Sequence, residues 1–224
     1  MYFRAKFVTM IINFSTTNSL FTQFLSEIRD AKVQKDRMRF RKNIERIAEI
    51  MAYELSKTLK YSEKEITTPL GEAMMNTCDD EIVLATILRA GIPMHQGLLN
   101  YFDKADSAFV SAYRKHSSAE EFEIEVEYCA SPSLDGKVLI ISDPMLATGN
   151  SMASVYHVLK KYGTPKQIHL VLGIATEEGL NYIEKKLPKS TKVWVGAIDL
   201  ELTAQSYIVP GLGDSGDLAF GEKV

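Results

Sequence analysis

Beyond Pro69 the chain repeats one unit, a short apolar run too brief for a helix followed by a segment of helical composition. The runs are Ile82–Leu88, Ala108–Tyr113, Val138–Ser142, Ile168–Ala175 and Val193–Ile198, all rich in β-branched residues. Helix-like segments lie between them at Pro93–Phe102, Asn150–Tyr162 and Glu177–Leu187. Parallel neighbours cannot be joined by a tight turn, so strands alternating with helices predict an α/β fold with a mainly parallel sheet. Val138-Leu-Ile-Ile141 is apolar on both faces, as a strand covered from both sides is. Glu121-Phe-Glu-Ile-Glu-Val-Glu-Tyr128 differs: acid and apolar residues alternate strictly, which predicts a half-exposed strand on a hairpin or sheet edge.

Before Pro69 the period is helical. After Asn18, read as an N-cap, Leu20, Phe21, Phe24, Leu25 and Ile28 share one face, and Ile44, Ile47, Ala48, Met51 and Leu55 mark a second helix. Phe3–Phe14 sets basic residues before apolar ones in the outline of a secretory signal. Its apolar part is too short and no small-residue cleavage site follows. Residues 1–17 therefore read as an N-terminal extension, partly flexible, with Met10 as the natural start and residues 1–9 upstream of it. Residues 18–224 read as a single domain, a length that one hydrophobic core can serve.

A formal net charge of -3 provides no global attraction to nucleic acid or to an anionic membrane. No apolar run approaches the roughly 20 residues that span a bilayer. Cys78 and Cys129 lie far apart without CxxC spacing, which suits a reducing, cytoplasmic compartment. His95, His116, His157 and His169 lack ligand spacing, so no transition-metal site is expected. The one local basic run is Lys32, Lys35, Arg37, Arg39, Arg41, Lys42 and Arg46. Such a run is usually a solvated helix face and less often binds RNA, a regulatory nucleotide or a neighbouring subunit.

Ligands of open parallel sheets gather at the carboxyl ends of strands, which points to the loop after the most apolar run, Ser142-Asp-Pro-Met-Leu-Ala-Thr-Gly-Asn-Ser151. Gly149 can adopt positive φ, and successive backbone N–H groups from Ala147 to Met152 at a helix start form an anion site, with Thr148 and Ser151 adding hydroxyl donors. Thr-Gly-Asn-Ser is also an ordinary turn and helix cap. Asp143 shifts the balance. A carboxylate beside an anion site repels the ligand unless it has other work, and an ionised carboxylate only accepts hydrogen bonds, so its natural partners are hydroxyls on the same ligand. A phosphate carrying vicinal hydroxyls is a ribose phosphate. The GxxxxGK[ST] spacing of a nucleoside-triphosphate loop is absent.

Arg89 follows the run Ile82–Leu88 and Arg114 follows Ala108–Tyr113, so both are expected at the sheet's carboxyl edge, where a permanently charged fork suits a diphosphate. A single arginine ending a strand is more often merely solvated. In the tail, Gly211-Leu-Gly-Asp-Ser-Gly216 matches GxGxxG formally, but only eight residues follow, too few for the required helix and distant acid. The tail's Asp spacing does not fit an EF-hand loop either.

Taken together, Val138–Met152 resembles the phosphoribosyl diphosphate signature of phosphoribosyltransferases, and Asp-Pro-Met-Leu-Ala-Thr-Gly is similar to the uracil-specific branch, with Pro144 where other branches carry a second acid. Leu88-Arg-Ala-Gly91 and Tyr113-Arg114 resemble that family's diphosphate contacts, although Pro93 stands where relatives often have glycine, and Tyr207–Gly221 resembles its uracil-binding hood. The resemblance runs from about Asn18 to Gly221. It implies a phosphoribosyltransferase-type core with a mainly parallel sheet flanked by helices, N-terminal helices, a β-arm and a small hood near residues 199–224. It further implies transfer of phosphoribosyl from 5-phosphoribosyl 1-diphosphate (PRPP) to N1 of uracil, giving UMP and diphosphate in pyrimidine salvage.

On this resemblance PRPP meets Arg89, Arg114, Asp143, Pro144, Met145, Leu146, Ala147, Thr148, Gly149, Asn150, Ser151 and Asp214, and Asp143, Arg89, Arg114 and Asp214 are the catalytic group. Uracil meets Ile208, Gly213, Asp214 and Ser215 through main-chain groups, a mode suited to a base edge of two carbonyls and one N–H. Mg²⁺ is implied, carried by the diphosphate near Asp214. Lys115–Glu127 resembles a mobile arm over the site. Relatives are dimers or larger homo-oligomers, and GTP enters as a candidate effector that no residue pattern reveals. The alternative is a non-catalytic regulator that keeps the fold and binds RNA or a nucleotide effector.

Overall fold

The computed structural model describes the backbone of residues 10–116 and 122–223, and the side chains of all of these save 113–116 and 122–125. The proposed extension at residues 1–9 lies outside the described residues, as does the middle of the expected arm.

In chain order the elements are β1 (Met10–Asn13), α1 (Leu20–Arg29), α2 (Arg37–Ser56), β2 (Tyr61–Thr68), β3 (Gly71–Cys78), β4 (Ile82–Leu88), α3 (Ile92–Leu99), β5 (Asp106–His116), β6 (Phe122–Ala130), β7 (Val138–Leu146), α4 (Asn150–Leu159), β8 (Gln167–Thr176), α5 (Glu177–Lys186), β9 (Lys192–Asp199), β10 (Glu201–Leu202), β11 (Ile208–Val209) and α6 (Ser215–Phe220). Seven strands form one sheet in the order β1-β9-β8-β7-β4-β5-β6. Every pairing in it is parallel except β5 with β6, which places the alternating acid and apolar segment on an antiparallel edge as its sequence predicts.

Side chains alternate across this sheet, and both faces are buried. Leu84, Ile140, Val171 and Trp194 point into a core shared with Phe21, Leu25, Ile44, Ile47 and Met51 of α1 and α2. Val83, Leu139, Ile141, Leu170 and Val195 point the other way, against Met152, Val155, Leu180 and Ile183 of α4 and α5. Each fully buried aliphatic side chain contributes about 1.5–3 kcal/mol.

Two local features differ from expectation. Helix α1 is capped by Ser19 rather than Asn18: Ser19 Oγ accepts from the Phe21 N–H at 3.2 Å while Thr22 Oγ1 accepts from the Ser19 N–H at 3.2 Å, a reciprocal box that Asn18 lies too early to make. Residues 10–13, within the stretch read as an extension, form β1 and pair with Lys192–Val195. The antiparallel hairpin β2–β3, closed over Pro69 and Leu70, was not predicted. Both of its faces are largely exposed, so no apolar alternation marks it in the sequence. Among the described residues no helix is long and apolar enough to cross a membrane.

Candidate active site

The carboxyl ends of β4 and β7 lie side by side, because Ile82–Thr86 pairs with Val138–Ser142. Thr86 Oγ1 donates to the Ser142 carbonyl at 3.4 Å and Ser142 Oγ donates to the Ala85 carbonyl at 3.3 Å. The turn after β4 folds tightly onto this pair: a β-carbon at Gly91 would overlap Thr86 Oγ1 and lie 2.8 Å from the Ile87 carbonyl. The loop carrying Arg89 and the loop carrying Asp143 are thereby held against each other.

After Leu146 the chain passes through Ala147 and Thr148 to Gly149, whose φ of +81° is the left-handed conformation its sequence position predicts. Gly149 is the N-cap of α4 and has no side chain to cap it; Thr148 Oγ1 accepts from the Asn150 N–H at 3.4 Å, and the amides that follow in the first turn of this ten-residue helix present their donors at the loop. A second helix start clamps the loop from behind. Thr176 Oγ1 donates to the Ala147 carbonyl at 2.6 Å and accepts from the Gly179 N–H at 2.9 Å. A β-carbon at Gly149 would lie 2.9 Å from the Gly179 carbonyl and 3.1 Å from Ile183 Cγ2, so this turn admits glycine on two counts, torsion and space. Glu177 and Glu178 occupy the first turn of α5.

Asp143 stands at the loop's entrance, half-buried, its Oδ1 accepting from the Met145 N–H at 3.1 Å. Burial pushes this carboxyl up from 3.8 to about 7, and the Met145 hydrogen bond pulls weakly the other way.

Arg89 turns toward the tail. Its Nη2 donates to Asp217 Oδ1 at 2.5 Å and to the Gly221 carbonyl at 2.6 Å. Its Nε–H is buried without a partner. The tail is pinned a second time by Asp199 at the end of β9. Asp199 takes both terminal nitrogens of Arg29 at 3.0 Å each and the Gly211 N–H at 3.0 Å. Gly211 has φ +59°, and a β-carbon there would overlap the Ile208 carbonyl. Asp214 caps α6 by accepting from the Asp217 N–H at 2.9 Å.

These walls enclose a cavity of about 730 Å³, the size of a small-molecule site. Of the predicted residues, Arg89, Asp143, Met145, Leu146, Ala147, Thr148, Gly149, Ser151, Ile208, Gly213 and Asp214 line it. Pro144, Asn150 and Ser215 are not on the wall. Pro144 backs onto β8, where its carbonyl would lie 2.7 Å from a β-carbon at Gly173, and Ser215 is fully buried beneath the hood. Arg114 lies on β5 opposite Ile124, with its side chain outside the described ones. Sequence reasoning missed Ser111, Ala112, Gln205, Ser206, Tyr207 and Lys223 on the wall. The first pair sits at a register shift between β5 and β6, and Ser206 has φ +62°, signals of local geometry rather than composition. Asp217 was also missed, because only the fold brings it to Arg89.

Among the described residues no group of three or more His, Cys, Asp and Glu could hold a metal ion. The wall's two carboxylates, Asp143 and Asp214, fit Mg²⁺ of the kind held by one or two protein oxygens and a ligand's phosphates. Four of the seven side chains of the basic run are engaged within the chain itself. Arg41 donates to the Ala219 carbonyl at 2.7 Å, Arg39 pairs with Glu27 and Lys42 with Glu45, and Arg46 lies over Phe24.

A mainly parallel sheet with a left-handed glycine turn opening a helix at its carboxyl edge, roofed by a glycine-rich hood, defines a phosphoribosyltransferase-type α/β protein. The model of the family described as uracil phosphoribosyltransferase matches residues 15–222. A uracil phosphoribosyltransferase from Porphyromonas gingivalis is 52% identical over 214 residues, covering 96% of this chain and 99% of that protein. One from Pyrococcus furiosus is 39% identical over 205 residues, covering 90% of this chain and 86% of that protein. The solved structure of the AQ2163 protein from Aquifex aeolicus superposes with a TM-score of 0.85 at 32% identity, over 96% of this chain and 100% of that one. The chain belongs to the uracil phosphoribosyltransferase family.

Proposed function

We propose that this protein transfers the phosphoribosyl group of PRPP to N1 of uracil, releasing diphosphate and forming UMP. The observation that carries the reading is the shared cavity. A helix start at Gly149 and a half-buried carboxylate at Asp143 form one wall, the hood residues Ile208, Gly213 and Asp214 another, and Arg89 stands where the two meet. Family membership supplies the base.

In this reading the amides around Gly149, with the Thr148 and Ser151 hydroxyls, hold the 5′-phosphate, and Asp143 as a carboxylate accepts the ribose hydroxyls. Main-chain groups of the hood read the uracil edge. N1 attacks C1 as the bond from C1 to the diphosphate oxygen breaks through a transition state of oxocarbenium character, and the N1 proton passes to the departing diphosphate, to solvent or through water to Asp214, so no protein nucleophile is required. The chain contributes positioning and fixed charge, with Arg89 and Arg114 directed at the leaving group. Mg²⁺ on the diphosphate, when bound, neutralises part of its charge.

The assembly is a homodimer or larger. Hairpin β2–β3 supports this, since a two-stranded hairpin is marginally stable alone in water, and this one exposes Ile66, Met74 and Met75, with Leu70 100% exposed at its tip. A second copy of the chain is its natural cover. The free thiols Cys78 and Cys129 suit the reducing cytoplasm.

The test is UMP formation from uracil, PRPP and Mg²⁺, with hypoxanthine as the competing base. Diphosphate release with uracil alone is expected; release with hypoxanthine alone, or with neither base, defeats the reading.

A further inference from the structure

Helix α6 ends at Gly221, whose φ of +95° turns the chain after Phe220. Two arginines stand against this turn. The Gly221 carbonyl accepts from Arg89 Nη2 at 2.6 Å, and a β-carbon at Gly221 would lie 3.5 Å from an Arg37 guanidinium nitrogen. The turn returns the last described residues to the cavity, where exposed Lys223 forms part of the wall.

Charge gives this position its meaning. Among the described residues the charged side chains on the wall are Arg89 and Lys223 against Asp143 and Asp214. Arg89 is already ion-paired with Asp217. On the proposed function the cavity takes a ligand bearing a monophosphate and a diphosphate, and among the described residues its two carboxylates face one uncommitted cation, so that beside Arg114 and Mg²⁺ a further positive charge is called for. An ammonium on a flexible stem can follow phosphate oxygens that differ in position between substrate and product, which a rigid fork held in the hood cannot.

Resting on the uracil phosphoribosyltransferase reading, we propose that Lys223 binds the diphosphate group, with the carboxyl-terminal tail delivering this charge to a cavity whose other described cation, Arg89, is tied to the hood. The tail's course explains glycine at 221, because a side chain at that φ is strained. It also gives Arg89 a second task, holding the turn from which Lys223 reaches the ligand.

The experiment is calorimetric titration of magnesium diphosphate into wild type, Lys223→Gln and Lys223→Arg, with UMP formation by wild type measured in parallel. Lys223→Gln is expected to raise the diphosphate Kd about tenfold, which is about 1.4 kcal/mol. Lys223→Arg is expected to stay within about threefold of wild type, a margin of about 0.65 kcal/mol. A Lys223→Gln value within that same margin overturns the proposal, and so does wild type that binds no diphosphate. Wild type that binds diphosphate but forms no UMP counts against the function and leaves the comparison of variants to judge Lys223.

Discussion

Arg89 Nη2 lies 2.5 Å from Asp217 Oδ1 and 2.6 Å from the Gly221 carbonyl, joining the turn after β4 to the last helix across 128 and 132 positions of sequence. One side chain thereby lines the cavity and fastens its roof. Arg89→Lys keeps the charge but loses the fork, and the catalytic efficiency with PRPP should drop about a hundredfold, about 2.7 kcal/mol. Asp217→Asn removes only the roof contact. This partly exposed pair should cost about 0.5–1 kcal/mol of stability, with faster amide exchange over residues 217–221. Equal kinetic losses in the two variants would contradict this division of labour.

Asp143 gives a pH signature of known sign. Its carboxyl titrates near 7 in the folded chain against 3.8 ordinarily, because burial disfavours the charged form. Between those values the folded state holds a proton that the unfolded state has lost, so the contribution to stability falls as pH rises from about 4 to 7. Asp143→Asn removes that slope. Its melting temperature should exceed that of wild type at pH 8 and lose most of the advantage at pH 4.5, by roughly 2–4 °C per kcal/mol. Activity with PRPP should fall at least a hundredfold in the same variant. A melting-temperature gap independent of pH would sink the assignment.

Gly149→Ala tests the turn. The substitution keeps φ at +81° unfavourably and places a β-carbon 2.9 Å from the Gly179 carbonyl, for an expected loss of about 1–3 kcal/mol in urea unfolding. Ribose 5-phosphate should bind more weakly. Gly179→Ala, outside the cavity, drives a β-carbon onto the Ala147 carbonyl and should weaken the same ligand from behind. Unchanged affinity in both variants would show that the loop does not hold phosphate.

His95 and His169 are expected to set the acid limit of stability. Burial lowers both from 6.5 to about 4. Trp194 Nε1–H donates to His169 Nδ1 at 3.1 Å, which leaves Nε2–H to donate to Gln167 Oε1 at 3.2 Å and fixes a neutral ring. His95 meets Ser107 Oγ at 3.1 Å through Nε2. A depressed histidine contributes stability that is complete above about 6.5 and is lost as pH falls through 4. Measured in the Asp143→Asn background, where the opposite carboxyl slope is gone, melting temperature should decline steadily below pH 6.5. Ring titration near 6.5 by NMR would refute the burial argument.

On the proposed assembly, hairpin β2–β3 is the contact between copies of the chain. Ile66 and Met75 lie on one face, since Ile66 pairs with Ala73 and Lys64 with Met75. Replacing both by Asp should convert an assembly of at least two chains into one of 25.1 kDa by light scattering, with the core fold intact. Wild type already at that mass would end the idea.

Much of the fold was legible because burial on both faces leaves a residue-level mark. Val83, Leu84, Ala85, Leu139, Ile140 and Ile141 are all 0% exposed, and apolar runs are the only composition that tolerates this. The hairpin was not legible, since Tyr61–Thr68 faces solvent and alternates nothing. The left-handed turn at Gly149 and its place beside Asp143 on the cavity wall could be read because the signal is local. The Thr176 clamp on Ala147, the Arg89 bridge to Asp217 and the place of Lys223 depend on which loops meet at the sheet edge. Chain order alone does not state that.

The four residues of β1 reach beyond the fold's description. Lys192–Val195 pairs with β8 on one side and with Met10–Asn13 on the other. Phe14, the next residue, stacks on Phe21 at 4.9 Å and leans on Trp194 at 6.4 Å. Shortening the chain past residue 13 would bare a row of amides and carbonyls beside newly wetted aromatic rings, an adhesive seam between molecules. Concentrated stocks of such a trimmed protein would cloud on storage, whereas trimming that spares Met10 would leave them clear.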